Sequence, residues 1–574
     1  MVIPGSVTVL IGVFKTYIDQ RYGRGLTVRA VFLGSDATHL TNFSRDKSVH
    51  VIYITLGNFH KEIRNKPSER CWMVLAYLPK PKFANTLFNV TRTVAEKKGM
   101  SSLLARMFFH EVMRYILAPL RLDRLPNDPP GFQVQKPAMR LDPNGTHRLT
   151  ISALISWAAD LQEHDDILGI SGFSCPKCRA QYKQLDLSKA DVVPCRHRTG
   201  SWILGKLQMI RERHPDAQVW DFKLLVKKYG LSGVECMGWE GLPDVLDITQ
   251  VMSLNLLHGG YKAFQDHEVA MIRRLLDPSR LDDRLIAQPL QTGVRSFDRG
   301  ISKLSQFSGK ETRALLTMFV PAISGAEGSP PAAEKAIAAK TDFLYLAHFP
   351  VHSDATLRMM MHKLDIFERA KQVFIDSGVR RGKKGIIHHM RIPKWHNQLH
   401  FDDNIRDLGP MIGTSCEMVE YNHQASAKMP YHNSNRKNYF PQFVDYNARH
   451  AAVELAEEYF EYRDAYDEMT HQDSSPIDSL TLARAVGRSD HPTQPHAKRP
   501  NRISNILAIM GSDGDFADLP SALVQYFENN RNRGLRQGSQ RQYFEYDQVP
   551  LHLRTLSLWH LAHITTQPVN AYFP

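Results

Sequence analysis

Three stretches near the start of the chain combine apolar, β-branched and aromatic residues in short runs bounded by Gly, Asn, Pro or charge: Val28–Ser35, Val49–Leu56 and Cys71–Leu78. Runs of this length and bias read as β-strands. Their short connections predict an antiparallel meander over about residues 26–80, after a short apolar lead-in. The first run ends on one carboxylate, Asp36. From Ser101 to Leu117 the period becomes helical, with Leu104, Met107, Phe108 and Val112 close to one face. Pro126, Pro129 and Pro130 break the chain after it. A further apolar segment, Leu149 to Leu161, carries Trp157 and ends in an acidic cluster.

Residues 270–410 show helical patterning and no second meander. The clearest helix there starts at Ser353-Asp354, an N-cap pair, and stops at Gly378. Leu357, Met360, Met361, Leu364, Phe367 and Phe374 form its apolar stripe. A Gly/Ser/Pro/Ala stretch from Ser324 to Lys335 predicts a loop, and the polar, Pro-bearing residues 471–503 predict a linker to a small tail.

A chain of 574 residues is too long for one core and predicts several folded units. Its net charge of +13 favours a polyanionic partner, though charge alone supplies only nonspecific attraction. Six cysteines in this length make no disulfide framework and point to a reducing compartment. No apolar run approaches the roughly 18 residues that cross a bilayer, and Met1-Val-Ile-Pro-Gly has no basic n-region of a secretory signal.

Three groups of residues could carry chemistry. In Ser415–Tyr431, read as a helix, Glu417, Glu420, Gln424 and Lys428 share a face, and His423 follows Glu420 by three. Carboxylates beside an imidazole and an ammonium suit a metal together with a phosphate; the same pattern also describes a solvated, charge-laced helix. Cys175-x-x-Cys178 has metal-ligand spacing, and Cys195-x-His197 would complete a Cys₃His zinc set with no open position for catalysis. The third group runs from Asp244 and Asp247 through Asn255 and His258 to Asp266 and His267; alone it reads as strand, turn and helix start. Basic clusters stand at Arg380-Arg381-Gly-Lys383-Lys384, Arg436-Lys437 and Lys498–Arg502. Trp239, Trp395 and the His388-His389 pair read as packing or surface residues.

Eight stretches resemble, in order, the Plavaka-type transposases of fungal genomes, a group of cut-and-paste DNA transposases. They are Ser35–Ser44, Leu56–Pro67, Cys175-Pro-Lys-Cys178, Asn255-Leu-Leu-His258 with Asp266-His267, Gly300–Leu304, Asp342–Ala347, Ile392-Pro-Lys394 and the helix around Glu420. The resemblance implies an α/β ribonuclease-H-like core, an antiparallel three-strand meander in a mixed sheet, interrupted by insertions. Its first part would be residues 20–164, continued by 201–260 and completed by a helix in 401–465. A zinc-knuckle-like insertion would occupy 165–200, a large helical insertion 261–400, a linker 466–503 and a C-terminal tail region 504–574.

In such cores three acids hold two Mg²⁺ or Mn²⁺ ions. Asp36 would be the first and Glu420 the third, with Glu417 in reserve; His423 would orient Glu420 or touch the scissile phosphate. The second acid is expected just before Leu-Leu-His, where this chain has Asn255. Either Asp247 or Asp266 takes its place, or catalysis is impaired and the protein is a noncatalytic DNA-binding or scaffold remnant. Lys428, Arg436, Lys437, Arg380, Arg381, Lys383 and Lys384 would grip DNA at transposon ends and target. The resemblance further implies action in the nucleus as a homo-oligomer, with no membrane association and no small-molecule substrate. No Cys₂His₂ finger precedes Asp36, which is the expectation for a gene truncated at its start.

Overall fold

The computed structural model describes residues 2–472 except 4–7, 42–46, 79–80, 82, 84–92, 142–145, 189–195, 290–292 and 305–306. Nearly all of the predicted linker, the tail region and the Lys498–Arg502 cluster lie outside the described residues. The described residues divide into two compact units, one within 1–140 and 148–427 and one within 141–147 and 428–472.

After a two-residue strand at Val2–Ile3, the first unit forms helix α1 (Thr8–Tyr22) and then the three predicted strands, β1 (Thr27–His39), β2 (Ser48–Leu56) and β3 (Met73–Leu78). Both neighbouring pairs are antiparallel, with Asp36 opposite Val51. Helix α2 (Val94–Leu117) follows, its start fixed by a capping box between Thr93 and Glu96. Next come β4 (Ala138–Leu141) and β5 (His147–Ala158). The apolar segment around Trp157 is therefore a strand, and it lies parallel to β1 from Thr27 beside Thr150 to Gly34 beside Ala158. Every residue of β5 from Thr150 onward is buried, as expected for a strand covered on both faces.

A short helix, α3 (Leu161–Ile167), leaves β5 with Asp160 as its N-cap. Strand β6 (Met252–Ser253) then adds in parallel to the last residues of β5. The sheet order is β3-β2-β1-β5-β4, with β6 beside β5. Three neighbouring parallel strands, β1, β5 and β6, thus end side by side.

The region between β6 and residue 400 is helical, as its pattern predicts. It contains α4 (Gly309–Ile323), α5 (Pro331–Ala347) and α6 (Asp354–Ala370). The Ser353 cap is present, and Leu357, Met360, Leu364, Phe367 and Phe374 are buried in one core with α4 and α5. Helix α5 begins inside the predicted Ser324–Lys335 loop, because a proline is tolerated in a first helical turn. Then come α7 (Pro393–Gln398), α8 (Phe401–Leu408) and α9 (Glu417–His423). The second unit carries α10 (Tyr439–Gln472), near whose start Tyr431, Tyr439 and Phe443 pack ring against ring. Among the described residues no helix is long and apolar enough to cross a membrane.

The face that α2 buries differs from the predicted one. Leu103, His110, Met113 and Leu117 are buried, while Phe108 is 38% exposed. A polar residue in the true stripe disguised it. His110 is accommodated as a neutral ring: its Nε2–H donates to the Asp166 carbonyl at 2.9 Å, and its Nδ1 accepts from the Gly238 N–H at 3.0 Å. Complete burial pushes its pKa down to about 4. The unfolded ring takes up a proton near pH 6.5 and the folded one resists until about pH 4. This stability is present above pH 6.5 and is lost as the pH falls toward 4. Between pH 7 and pH 5 the loss from this residue is about 2 kcal/mol. Urea unfolding at the two pH values, with wild type and His110→Gln, measures it; the variant should show a flatter pH dependence from a lower starting stability.

Candidate active site and metal cluster

Strand β1 delivers Asp36 to the carboxyl end of the sheet. The parallel register ends with Gly34 beside Ala158, and Asp36 and Asp160 each follow two residues further along, close enough for their charges to interact. Successive even positions keep to one face of a strand, and neighbouring strands lie about 5 Å apart. Asp160 is partly buried, and its Oδ1 accepts the Glu163 N–H at 2.8 Å. Burial first, then the charges of Glu163 and Asp36, hold its carboxyl above the usual range, against the pull of His258.

Helix α9 brings the remaining groups. His423 Nε2 meets Asp36 Oδ2 at 3.2 Å, and its Nδ1 meets the buried Tyr53 hydroxyl at 3.0 Å. Tyr53 also bonds Ser426 Oγ at 2.6 Å, and Ser426 donates to the Asn422 carbonyl at 2.7 Å. Glu420, one turn earlier, meets His258 Nε2 at 2.9 Å. Burial disfavours a charged His258 ring, yet the hydrogen bond to Glu420 and the charges of Glu420, Asp160 and Asp36 outweigh this and raise its pKa. Three carboxylates therefore act on one imidazole. A fourth, Glu163, takes hydrogen bonds from Ser35 Oγ and His50 Nε2, each at 2.7 Å, beneath Asp36.

Helix and strand approach closely because residue 34 is glycine. A Cβ there would stand 2.4 Å from Val419 Cγ2 and 3.1 Å from the Trp72 ring. Gly34→Ala should push α9 off β1 and separate His423 from Asp36, at a cost of about 1–3 kcal/mol from overpacking. The double variant with Val419→Ala should recover most of the thermal midpoint, since it removes the colliding methyl. A midpoint unmoved by Gly34→Ala would contradict the close approach.

Several residues singled out from sequence are held elsewhere. Asn255 is nearly buried; its Oδ1 accepts the Leu257 N–H at 2.8 Å and its amide nitrogen lies 2.7 Å from His258 Nδ1. These bonds brace the turn and the histidine. Asp247 caps the helix Ile248–Val251 and accepts the Gly200 N–H at 3.0 Å. Asp266 is paired with Lys262 at 3.2 Å and Lys394 at 3.5 Å. Glu417 is bound by Arg313 of α4 at 2.6 Å. His423 contacts Asp36 instead of orienting Glu420, which His258 does. Lys428, Arg436 and Lys437 belong to the second unit. Sequence reasoning passed over Asp160 even though Ala158-Ala-Asp160 repeats, at the end of a buried strand, the form of Gly34-Ser-Asp36.

The cysteine pair finds different partners from those expected. Cys175, Cys178, His396 and His400 are all buried, and their ligand atoms lie within 4.8 Å of one another. Cys175 Sγ is 3.5 Å from His400 Nε2, and Cys178 Sγ is 3.3 Å from His396 Nε2. A tetrahedral zinc with Zn–S of about 2.3 Å and Zn–N of about 2.0–2.1 Å sets sulfur and nitrogen roughly 3.5 Å apart, so the group fits that ion. The backbone N–H groups of Lys177 and Cys178 point at Cys175 Sγ, each at 3.3 Å. Burial alone would raise the Cys175 pKa, but bonding to Cys178 and the nearby His400 and His396 bring it well below the ordinary value. Cys195 lies outside the described residues. His197 pairs through its backbone with Cys178 and lines a neighbouring cavity of about 350 Å³ with Lys177 and Asp403. The i, i+4 spacing of His396 and His400 was the available signal, far along the chain from its partners.

The cluster is stitched to the sheet. Lys177 Nζ, between the two cysteines, donates to the carbonyls of Thr249 and Met252 at 2.6 Å each. From α7, Gln398 donates to the Gly259 carbonyl at 2.8 Å, next to His258.

No curated protein matches the chain. Residues 13–272, which span β1 through the His258 turn, match the family model described as Plavaka transposase.

Proposed function

We propose that this protein cuts and joins DNA phosphodiesters, with Asp36, Asp160 and Glu420 holding two divalent cations. The observation that carries this reading is that Asp36 and Asp160 each lie two residues past the paired Gly34 and Ala158 of adjacent parallel strands, with Glu420 and His423 on a helix whose side chains reach Asp36 and His258. The strand order β3-β2-β1-β5-β6 supports a ribonuclease-H-like core, with the helical residues 261–400 inserted between β6 and the helix of the third acid. The match of residues 13–272 to the transposase family model and the net charge of +13 support DNA as the substrate.

Partly exposed carboxylate oxygens are hard donors, suited to Mg²⁺ or Mn²⁺. Bound there, such a pair would lower the pKa of the attacking hydroxyl and stabilise the leaving oxygen. The chain's own residues fix the ligands: His423, held by Tyr53, sets the rotamer of Asp36; the Glu163 N–H sets Asp160; His258 sets Glu420. Asn255 keeps His258 in place. The alternative of a noncatalytic remnant rested on Asn255 as a lost acid, and Asp160 removes that ground. Cys175, Cys178, His396 and His400 would bind a structural zinc, since four protein ligands leave no position for substrate.

The test is nicking of supercoiled plasmid by the full chain with Mg²⁺ or Mn²⁺, against Ca²⁺ and chelator controls. Metal-dependent nicking that Asp36→Asn abolishes is the expected result. Cleavage indifferent to that substitution would refute the assignment.

A further inference from the structure

A turn beside the cysteine pair presents an aromatic side chain at a backbone cost. The Ser174 N–H returns to the Ser171 carbonyl at 3.2 Å, closing a four-residue turn around Gly172 and Phe173. The left-handed residue is Phe173, with φ of 69°, and not its glycine neighbour. Turns of this shape want glycine at that place, and a bulky residue there is a strained outlier. Packing does not compensate, because Phe173 is 61% exposed. Its ring meets Tyr182, also exposed, edge to face at 5.5 Å.

The surroundings are cationic. Arg391 lies over the Tyr182 ring at 5.5 Å, and the Arg380 guanidinium is close enough to feel the Tyr182 hydroxyl. From Arg380 a two-stranded hairpin projects, pairing Arg381 with Ile386 and Gly382 with Gly385, with Lys383 and Lys384 at its tip. All four residues from Arg381 to Lys384 are exposed. Asp186, 3.4 Å from Arg391, is the acid paired with this group.

We propose that Phe173 and Tyr182 form a stacking platform for unpaired bases, with the Arg381–Lys384 hairpin gripping the adjoining phosphates of single-stranded DNA. Exposed rings bordered by cations are the recurring solution for single strands, because every base offers a π-face. The inference rests on the strand-cleavage reading for the origin of its ligand, since cutting a duplex frees unpaired flanks. Its binding surface is separate from Asp36, Asp160 and Glu420.

The measurement is fluorescence anisotropy of a labelled oligothymidylate and of a labelled duplex with the full chain, without added divalent ions, over a salt series. Phe173→Ala should weaken oligothymidylate binding about tenfold and duplex binding less than about twofold. Replacing Arg381, Lys383 and Lys384 together by Ala should lower the single-strand salt slope by about two. Phe173→Gly should raise the thermal midpoint by roughly 1–3 °C through relief of strain while losing the same affinity. The proposal is overturned if Phe173→Ala binds like wild type, loses both ligands equally, or if Phe173→Gly gains stability and keeps its affinity. Normal plasmid nicking alongside such a result would leave the cleavage reading standing; failed nicking with the expected binding losses would sink cleavage alone.

Discussion

Asp160→Asn should abolish metal-dependent nicking, by at least about 10²-fold, while Asn255→Asp should leave it no higher than wild type. The two substitutions separate two assignments of the second acid. Asp160 follows the strand that runs parallel to β1 and keeps register with it up to Gly34 beside Ala158. Its carboxyl feels Asp36 and His258, which places it among the groups that would share a cation. Removing its charge leaves two anions for two divalent ions and weakens both the ions' binding and their effect on the attacking oxygen. Asn255 sits one strand further over, with its oxygen on the Leu257 N–H and its nitrogen beside His258. A carboxylate there would replace an amide donor beside His258 Nδ1 and add a negative charge to a group that already gathers Asp36, Asp160, Glu163 and Glu420, so the change should be neutral or harmful. Asp160 also caps α3, and Asn is a cap of equal quality, so the variant should keep its thermal midpoint. Activity gained on Asn255→Asp, or retained on Asp160→Asn, would return the second acid to residue 255.

Cys178→Ser should release the bound zinc and destabilise the first unit by about 4 kcal/mol or more, the scale of a lost structural metal. The thermal midpoint should fall by about 5 °C or more, given the size of the unit. Zinc content by elemental analysis should drop from one per chain toward zero. The size of the effect follows from position. The cluster joins two stretches more than two hundred residues apart, and its neighbours Lys177 and Gln398 hold β6 and the Gly259 turn. Loss of the metal would also leave Cys175, His396 and His400 buried with unbalanced charge. Nicking should fall with it, since His258 immediately precedes Gly259 in that turn. A chain that binds no zinc as isolated and melts unchanged after Cys178→Ser would refute a structural ion.

The meander and the helices in Ser101–Leu117 and from Ser353 were legible because each is a local pattern, whereas Leu149–Leu161 showed only as an apolar segment whose strand pairing was not. Alternation and β-branching mark β1 to β3, and the Ser353 cap with its apolar stripe marks α6. The exception within local structure is α2, whose buried face contains His110, a residue that counts as polar until its two hydrogen bonds are seen. Asp36 and Glu420 were recognised through motif order. Asp160 was not, because its meaning depends on which strand lies beside β1, and parallel pairing joins residues more than a hundred positions apart without a local signature. The zinc ligands were half legible for the same reason. A Cys-x-x-Cys pair is a local motif, but nearby Cys195 and His197 compete in sequence with His396 and His400, which only folding brings close.

The order of residues alone thus determined the meander, its ending on Asp36, the helix from Ser353, the Cys-x-x-Cys half of the buried cluster and the net positive charge. Those follow from side-chain periodicity, backbone preference and charge, all of which act over a few residues. Tertiary structure decided which carboxylate joins Asp36, which histidines meet the cysteines and which acids are spent on Arg313, Lys262 or a helix cap. These are questions of distance between remote segments, set by strand register and by the close approach that Gly34 permits.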